Sequence, residues 1–403
     1  MLPTPRVNGK WSTAKRRSSG AMAGAISSEK KENVFAKLLL PPGQASIRLQ
    51  TILIPPIRSE PAIAGWAMKK GCQPPFPLMS GCGDAFNHPR LKATTFFTSH
   101  GHEIVIHSLL ATLSSGPLDI VGDIHGEIDP LLSLMHHLGY DEYGSHPHNR
   151  KLVFVGDLTD RGPDSVAVVN LVQTLTEAQR AQCVLGNHEL NILLNQRKYD
   201  NGWFYGQEFS DDGYIVPQAL ANDKNRDRIL DFFKTLPIAL EREDLRVIHA
   251  CWHSPMMKSL KETEGVIAFT EQHEDLIEKR IENSHLDEVD ISLEHQNQNP
   301  VRRLTSGPEE RIHSPFFASG KTRHEQRVQW WNDYDETFCI FGHYSITDGK
   351  PRGNHSSFCI DYGVGKRWTE RRQGTTKGFA LKLAALRWPE KLVVFDEGGS
   401  SQL

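Results

Sequence analysis

The chain has 403 residues, 38% of them hydrophobic and 24% charged, with a formal net charge of -3. That length allows one large domain with an appendage or two modest domains. The near-balanced charge excludes a global electrostatic pull toward nucleic-acid polymers or an anionic membrane.

No run of about 18 apolar residues occurs, so nothing reads as a membrane-spanning helix. The basic start MLPTPRVNGKWSTAKRRSSG lacks the apolar core of a secretory signal. The first 115 residues are rich in Pro, Ser and Gly, with breakers at Pro41-Pro42, Pro55-Pro56 and Pro74-Pro75. Residues 1–115 are therefore expected to be poorly ordered. An upstream start codon adding non-native sequence is one reading of them, with Met22, Met68 and Met79 as later starts. The six cysteines (Cys72, Cys82, Cys183, Cys251, Cys339 and Cys359) show no CxxC spacing and mostly sit in apolar runs. That predicts buried free thiols and a cytoplasmic location.

From Leu118 the texture changes. LDIVGDIHG predicts a strand running into a loop, and IDPLLSLMHHLGY after it has helical spacing. KLVFVGD is a second strand, followed by a helix that begins near Pro163 and carries Val166, Val169 and Val172 on one side. QCVLGNHE, LRVIHACWH, TFCIFGHY and SSFCIDYG repeat the design of an apolar run ending in a polar cluster. Strands alternating with helices predict an α/β class, with the ligand crevice at the loops beyond the strands' carboxyl ends. Residues 116–396 form the expected domain and 397–403 a tail. A charged stretch at about 254–334, helical around Glu264 to Ile281 and polar at SLEHQNQNP, reads as an insertion outside the sheet. A lid and a solvated excursion are both open readings of it.

The chemistry-bearing residues lie at the strand ends: Asp123 and His125 in GDIHG; Asp157, Asp160 and Arg161 in GDLTDRG; Asn187 and His188 in GNHE; His249 in VIHA; His343 in FGHY. A carboxylate and an imidazole two residues apart on a turn can reach one cation, and mixed oxygen and imidazole donors suit Mn, Fe or Zn. Taken singly, each cluster has an ordinary structural reading. GDIHG can be a tight turn, Asn187 a helix cap, a lone histidine a satisfied core residue, and Asp160-Arg161 a surface ion pair. Their ordered recurrence at strand ends points instead to a two-metal site, which stabilises the attacking and leaving oxygens of a phosphoryl displacement.

GDIHG, GDLTDRG and GNHE, followed by two isolated histidines after strands, resemble the signature of the phosphoprotein phosphatase superfamily of calcineurin-like metallophosphoesterases. Its PrpE-like and diadenosine-tetraphosphatase-like bacterial branches are the most similar. The resemblance covers roughly residues 117–396. It implies a four-layer αββα sandwich with two central mixed β-sheets, and two divalent metal ions, manganese first, with iron or zinc as alternatives. It makes Asp123 and His125 ligands of one metal, Asp157 the bridge, and Asn187, His249 and His343 ligands of the other. Arg161 would clamp phosphate oxygens. His188, paired with Asp160, would protonate the leaving oxygen as a general acid.

His249-Ala250-Cys251 departs from the His-Gly-Gly of eukaryotic-type protein phosphatases, and Thr159 replaces an aliphatic residue. The acid at Asp160, often missing from symmetrical diadenosine tetraphosphatases, leans the substrate toward phosphomonoesters, as in a phosphoprotein phosphatase. Dinucleoside polyphosphates are the alternative, with Trp203, Phe204, Tyr205, Trp330 and Trp331 as candidates for an adenine pocket. An inactive phosphate-binding scaffold is the reading from a different class. Lys366, Arg367, Arg371 and Arg372 are candidates for added phosphate affinity, or simply a solvated basic loop. The expected partner is a phosphorylated substrate, protein or nucleotide; the sequence sets no oligomeric state.

Overall fold

The computed structural model describes residues 94–97, 103–106, 108–211, 213–260, 263, 265–318 and 321–403. The expectation for the chain start, apart from its last segment, lies outside the described residues. Two six-stranded sheets organise the described part. In the first, Leu118–Val121, Lys151–Phe154 and Ala181–Cys183 run parallel. Ala384–Trp388 pairs antiparallel with Leu118–Val121, and Leu392–Phe395 and Ser400–Gln402 continue outward, also antiparallel. The second sheet is ordered Gly353–Asn354, Ser357–Cys359, Cys339–Phe341, Leu245–Ile248, Ala239–Arg242 and Leu110–Thr112, mixing parallel and antiparallel pairs.

The apolar runs are continuous because both faces of each strand are covered. Side chains alternate across a strand. Leu118, Ile120, Val153 and Val155 from the first sheet therefore pack with Leu240, Leu245, Val247 and Ile340 from the second. Leu152 and Phe154 point the other way, into a core shared with Leu131, Leu134, Val168 and Val172 of the helices Ile128–Leu138 and Ser165–Glu177. The result is the helix–sheet–sheet–helix sandwich. No helix among the described residues is long and apolar enough to cross a membrane.

Two local features differ from the sequence expectation. The domain begins before residue 116: Leu110–Thr112 forms the edge of the second sheet, with Leu109 and Leu113 buried on either side of it. Three residues are too few to show a period. The polar tract SLEHQNQNP lies largely within a helix, Glu288–Gln298, that has no buried residue and therefore no apolar stripe to betray it. Its start is fixed instead by Asp287, whose side chain accepts from the amides of Val289 and Asp290. Between Ile248 and Cys339 the chain also forms the helices Val266–Ile281 and Pro300–Ser306 and the hairpin Glu309–Ala318/Lys321–Arg327, none of which joins either six-stranded sheet.

Candidate active site

Asp123, Asp157, Asn187, His249 and His343 each follow a strand within four residues, at the carboxyl edge of the two sheets, and all but Asn187 are buried. Their loops turn unusually sharply. Five of the nine non-glycine residues with positive φ among the described residues are His125, Asp157, Asp160, Arg161 and His343, a conformation that costs side-chain-bearing residues roughly 1–2 kcal/mol each. Two glycines make room at close quarters. A Cβ on Gly342 would lie 2.0 Å from Asp123 Oδ1, and one on Gly186 would lie 2.3 Å from Asp157 Oδ1.

Asp157 lies at the centre. Its Oδ2 is 3.8 Å from His125 Nε2, and its Oδ1 is 3.2 Å from His249 Nε2, so the two oxygens face different histidines. His125 Nδ1 donates to Thr159 O (2.9 Å) and His249 Nδ1 to Val155 O (2.8 Å). Each bond turns Nε2 into the site as the available nitrogen. His249 Nε2 also faces Asn187 Oδ1 at 3.1 Å. The His343 ring lies 5.2 Å from that of His249, and its buried Nε2 has no hydrogen-bond partner among the described residues. Asp123 Oδ2 is 3.9 Å from His125 Nε2. Converging carboxylate, amide and imidazole atoms with an orphaned nitrogen are a donor set that fits divalent cations. Two groups, His125–Asp157–His188 and Asp157–His249–His343, are close enough to hold one each.

The electrostatics fit cations as well. Burial, together with Asp361 and Asp157 nearby, pushes the Asp123 carboxyl well above its usual range. Burial opposes the charge on His249, but Asp157 overrides it and holds the ring up at about 10. A proton there sits between the imidazole and two oxygens, where a cation would satisfy the same atoms. Burial, Arg327 and His249 keep His343 well below the ordinary histidine range, so its lone pair is free for a metal.

His188 also lies in reach, its Nε2 3.7 Å from Asp157 Oδ2. Its Nδ1 makes a short hydrogen bond to Asp160, whose other oxygen accepts from Trp203 Nε1 at 2.5 Å. Against burial, Asp157 and Asp160 hold His188 up at about 9. Arg161 is anchored through Nε on Asp200 (2.8 Å), and its remaining nitrogens lie 3.1 Å from His125 Nε2 and 3.0 Å from His188 Nε2. A ring protonated at both nitrogens cannot accept from Arg161. That contact therefore belongs to the neutral ring with its proton on Nδ1.

The site contains three residues that sequence reasoning did not single out, Glu189, Asp200 and Asp361, and one, Trp203, that it singled out for a different role. Glu189 is fully buried and accepts from the amides of Asp157, Leu158 and Gly186. Burial, then Asp157, pushes its carboxyl up to about 7. Asp200 fixes Arg161, and Trp203 fixes Asp160. Asp361 is buried beside Asp123, its carboxylate taking Ser345 Oγ and the Gly363 amide. It ends an apolar strand in CIDYG, the same signal that marked the others.

The candidate adenine-pocket aromatics are packed into the core: Trp203, Phe204, Trp330 and Trp331 are buried in it, Trp203 with its ring nitrogen on Asp160, and Tyr205 packs against it under Arg197. Of the basic segment, Arg367 is buried in a two-pronged pair with Asp396, and Arg371 pairs in the same way with buried Glu127. Arg372 lies 3.8 Å from Asp211. Lys366 lies within electrostatic reach of Arg161.

A family model described as calcineurin-like phosphoesterase matches residues 116–359. Over 138 residues the chain is 47% identical to "Bis(5'-nucleosyl)-tetraphosphatase PrpE [asymmetrical]" of Oceanobacillus iheyensis, covering 33% of this chain and 54% of that protein. Over 82 residues it is 42% identical to "Bis(5'-nucleosyl)-tetraphosphatase, symmetrical" of Ralstonia nicotianae, covering 20% and 26%. The chain thus spans about half, or less, of the length of these curated relatives. Among solved structures it is similar to a cold-active protein-tyrosine phosphatase of a psychrophilic Shewanella species, with a TM-score of 0.40 and 14% identity over 73% of this chain and 82% of that one. The family match runs from just before the strand leading to Asp123 through the strand ending at Cys359, more than half of the sequence, and the chain belongs to the calcineurin-like phosphoesterase family.

Proposed function

We propose that this chain hydrolyses phosphate anhydrides of the dinucleoside polyphosphate class at a two-metal centre. The carrying observation is Asp157, whose two oxygens face His125 on one side and His249 on the other. Asp123, His125 and Asp157 would hold one cation, and Asp157, Asn187, His249 and His343 the second, with manganese the first choice and iron or zinc the alternatives. When bound, the pair neutralises phosphoryl oxygens and acidifies a water for attack on phosphorus.

The chain's own residues do the rest. Arg161 pivots on Asp200 and turns its outer nitrogens from the two histidines to phosphate oxygens, which a planar guanidinium fits well. Asp160, held by Trp203, orients His188 through Nδ1 and favours its protonated form. The proton on Nε2 then faces the site and passes to the leaving oxygen. The names of the curated relatives support the substrate class. A second reading, phosphomonoesters such as phosphoserine, is favoured by the His188–Asp160 pair, since proton donation counts most for a basic alkoxide.

Manganese-loaded protein should be assayed in parallel on diadenosine tetraphosphate, ATP, p-nitrophenyl phosphate and a phosphoserine peptide. The anhydride reading expects the highest kcat/KM on diadenosine tetraphosphate. A preference for the phosphopeptide selects the second reading. Turnover of none, with two metals bound, makes the chain a phosphate-binding scaffold.

A further inference from the structure

A small cleft of about 100 Å³ opens beside the guanidinium of Arg161, walled by Pro163, Tyr214, Val216, Pro217 and Trp368, with Arg371 at its edge. Three distant stretches meet there. The loop after the second strand brings Arg161 and Pro163, and the hairpin Phe209–Asp211/Tyr214–Val216 brings Tyr214 and Val216. The helix Arg367–Arg372 brings Trp368, whose ring packs edge-on to Phe209, 5.7 Å between centroids. The segment after the hairpin is tied to the Arg161 loop, because the Ala219 amide donates to Pro163 O (2.8 Å) and Gln218 Nε2 to Gly162 O (3.2 Å). The wall is therefore fixed relative to the residue that faces the phosphate.

We infer that this cleft is a nucleobase platform: the base of a nucleoside polyphosphate stacks against Trp368 and Tyr214 while its phosphates reach Arg161. The inference rests on the phosphohydrolase reading of the neighbouring site and deepens it. An apolar, ring-bearing slot with an arginine at one end suits a ligand that is planar at one end and anionic at the other. The cleft is smaller than the ~150 Å³ that encloses a benzene, so a base lies against its wall with one face open to solvent.

The wall also predicts what the site ignores. Arg161, held on Asp200 through Nε, is taken up by the phosphates and Arg371 by Glu127, and the prolines and Val216 offer no side-chain hydrogen bond. Among the described side chains lining the cleft, the Tyr214 hydroxyl and the Trp368 ring nitrogen remain to read a base edge. Stacking is tolerant of base identity because every base has a π-face. The platform thus selects nucleosides as a class without separating adenine from guanine.

The test compares kcat/KM of the full, manganese-loaded chain on diadenosine tetraphosphate, diguanosine tetraphosphate and inorganic tripolyphosphate, for wild type, Trp368→Ala, Trp368→Phe and Tyr214→Ala. AMP and inorganic phosphate binding are measured alongside by equilibrium dialysis. Loss of one stacking ring should lower efficiency on both dinucleotides, relative to tripolyphosphate, by roughly tenfold or more, chiefly through KM. AMP affinity should fall in parallel relative to phosphate. Trp368→Phe should recover most of the loss, and the wild-type adenine-to-guanine ratio should stay within about threefold. Equal losses on all three substrates, a phenylalanine as poor as alanine, or unchanged AMP affinity in both Trp368→Ala and Tyr214→Ala would overturn the platform. If wild type turns over none of the three, the phosphohydrolase reading fails, and the AMP measurement still decides the platform alone.

Discussion

Replacing Glu189 by glutamine changes one atom of a wholly buried side chain that accepts from four donors. Oε2 takes the amides of Asp157 (2.9 Å) and Gly186 (3.1 Å), and Oε1 takes the Leu158 amide (2.9 Å) and Thr159 Oγ1 (3.3 Å). Glutamine keeps a single acceptor. Its better orientation turns the oxygen to Asp157 and Gly186 and its NH2 to Leu158 and Thr159. The threonine hydroxyl can then rotate and accept, but the Leu158 amide is left facing a donor in a buried place. One stranded amide, with loss of charge assistance to the others, amounts to about 2–4 kcal/mol. Thermal unfolding should fall by roughly 5–10 °C for a domain of this size. Because the Asp157 amide keeps only a neutral acceptor and its neighbour Leu158 loses its own, the Asp157 loop is held less firmly, and manganese should bind about 10–100-fold more weakly, as when a group behind a metal ligand is removed. Urea unfolding followed by circular dichroism gives the first quantity and titration calorimetry the second. Stability within about 0.5 kcal/mol of wild type, together with an unaltered manganese affinity, would refute the reasoning.

Three further outcomes follow from the geometry. Asp157→Asn should abolish turnover and lower bound metal below two ions per chain, since a neutral amide cannot serve two dications; metal analysis finding two ions with near-wild-type activity overturns it. His188→Ala should cost about 10²–10⁴-fold on a phosphoserine peptide and clearly less on p-nitrophenyl phosphate, whose leaving group departs without a proton, with both metals retained. Equal losses or a lost metal would make His188 a ligand or structural residue. A chain beginning at Ser108 should remain soluble and unfold cooperatively. One beginning at Ser115 loses buried Leu109 and Leu113 and bares the edge of Ala239–Arg242, so it should aggregate or melt well below the first; equal melting temperatures would show that the edge strand adds nothing.

The residues proposed to hold metal were legible because each ends an apolar run, so local pattern and chemistry coincide at Asp123, Asp157, Asn187, His249 and His343. Asp361 carries the same signature and was readable on that rule alone. Glu189 was not: beside His188 at a helix start it looks like an ordinary first-turn acid, and its work is done on amides 31 and 32 residues upstream. The cleft at Arg161 joins Tyr214 to Trp368 across some 150 residues of chain, which no spacing can announce. Leu110–Thr112 is a strand only because Ala239–Arg242 stands ready to pair with it.

The left-handed residues explain why these distant pieces behave as one site. None would hold its conformation alone, and each is gripped from another motif or from its own loop. The His125 amide donates to Asp157 O (2.9 Å), the Asp157 amide to Glu189, the Asp160 amide to Ser165 Oγ (2.9 Å) and the His343 amide to Asp123 Oδ2 (3.0 Å). The Gly162 amide, next to Arg161, donates to His125 O (2.8 Å). The first motif is thus locked to the second, the second to the third, and the last histidine back to the first. Strain of this kind persists only where the surroundings over-determine it. Loosening any one grip therefore lets a neighbouring motif relax toward ordinary backbone angles, and the groups proposed to hold the cations and the phosphate move apart together.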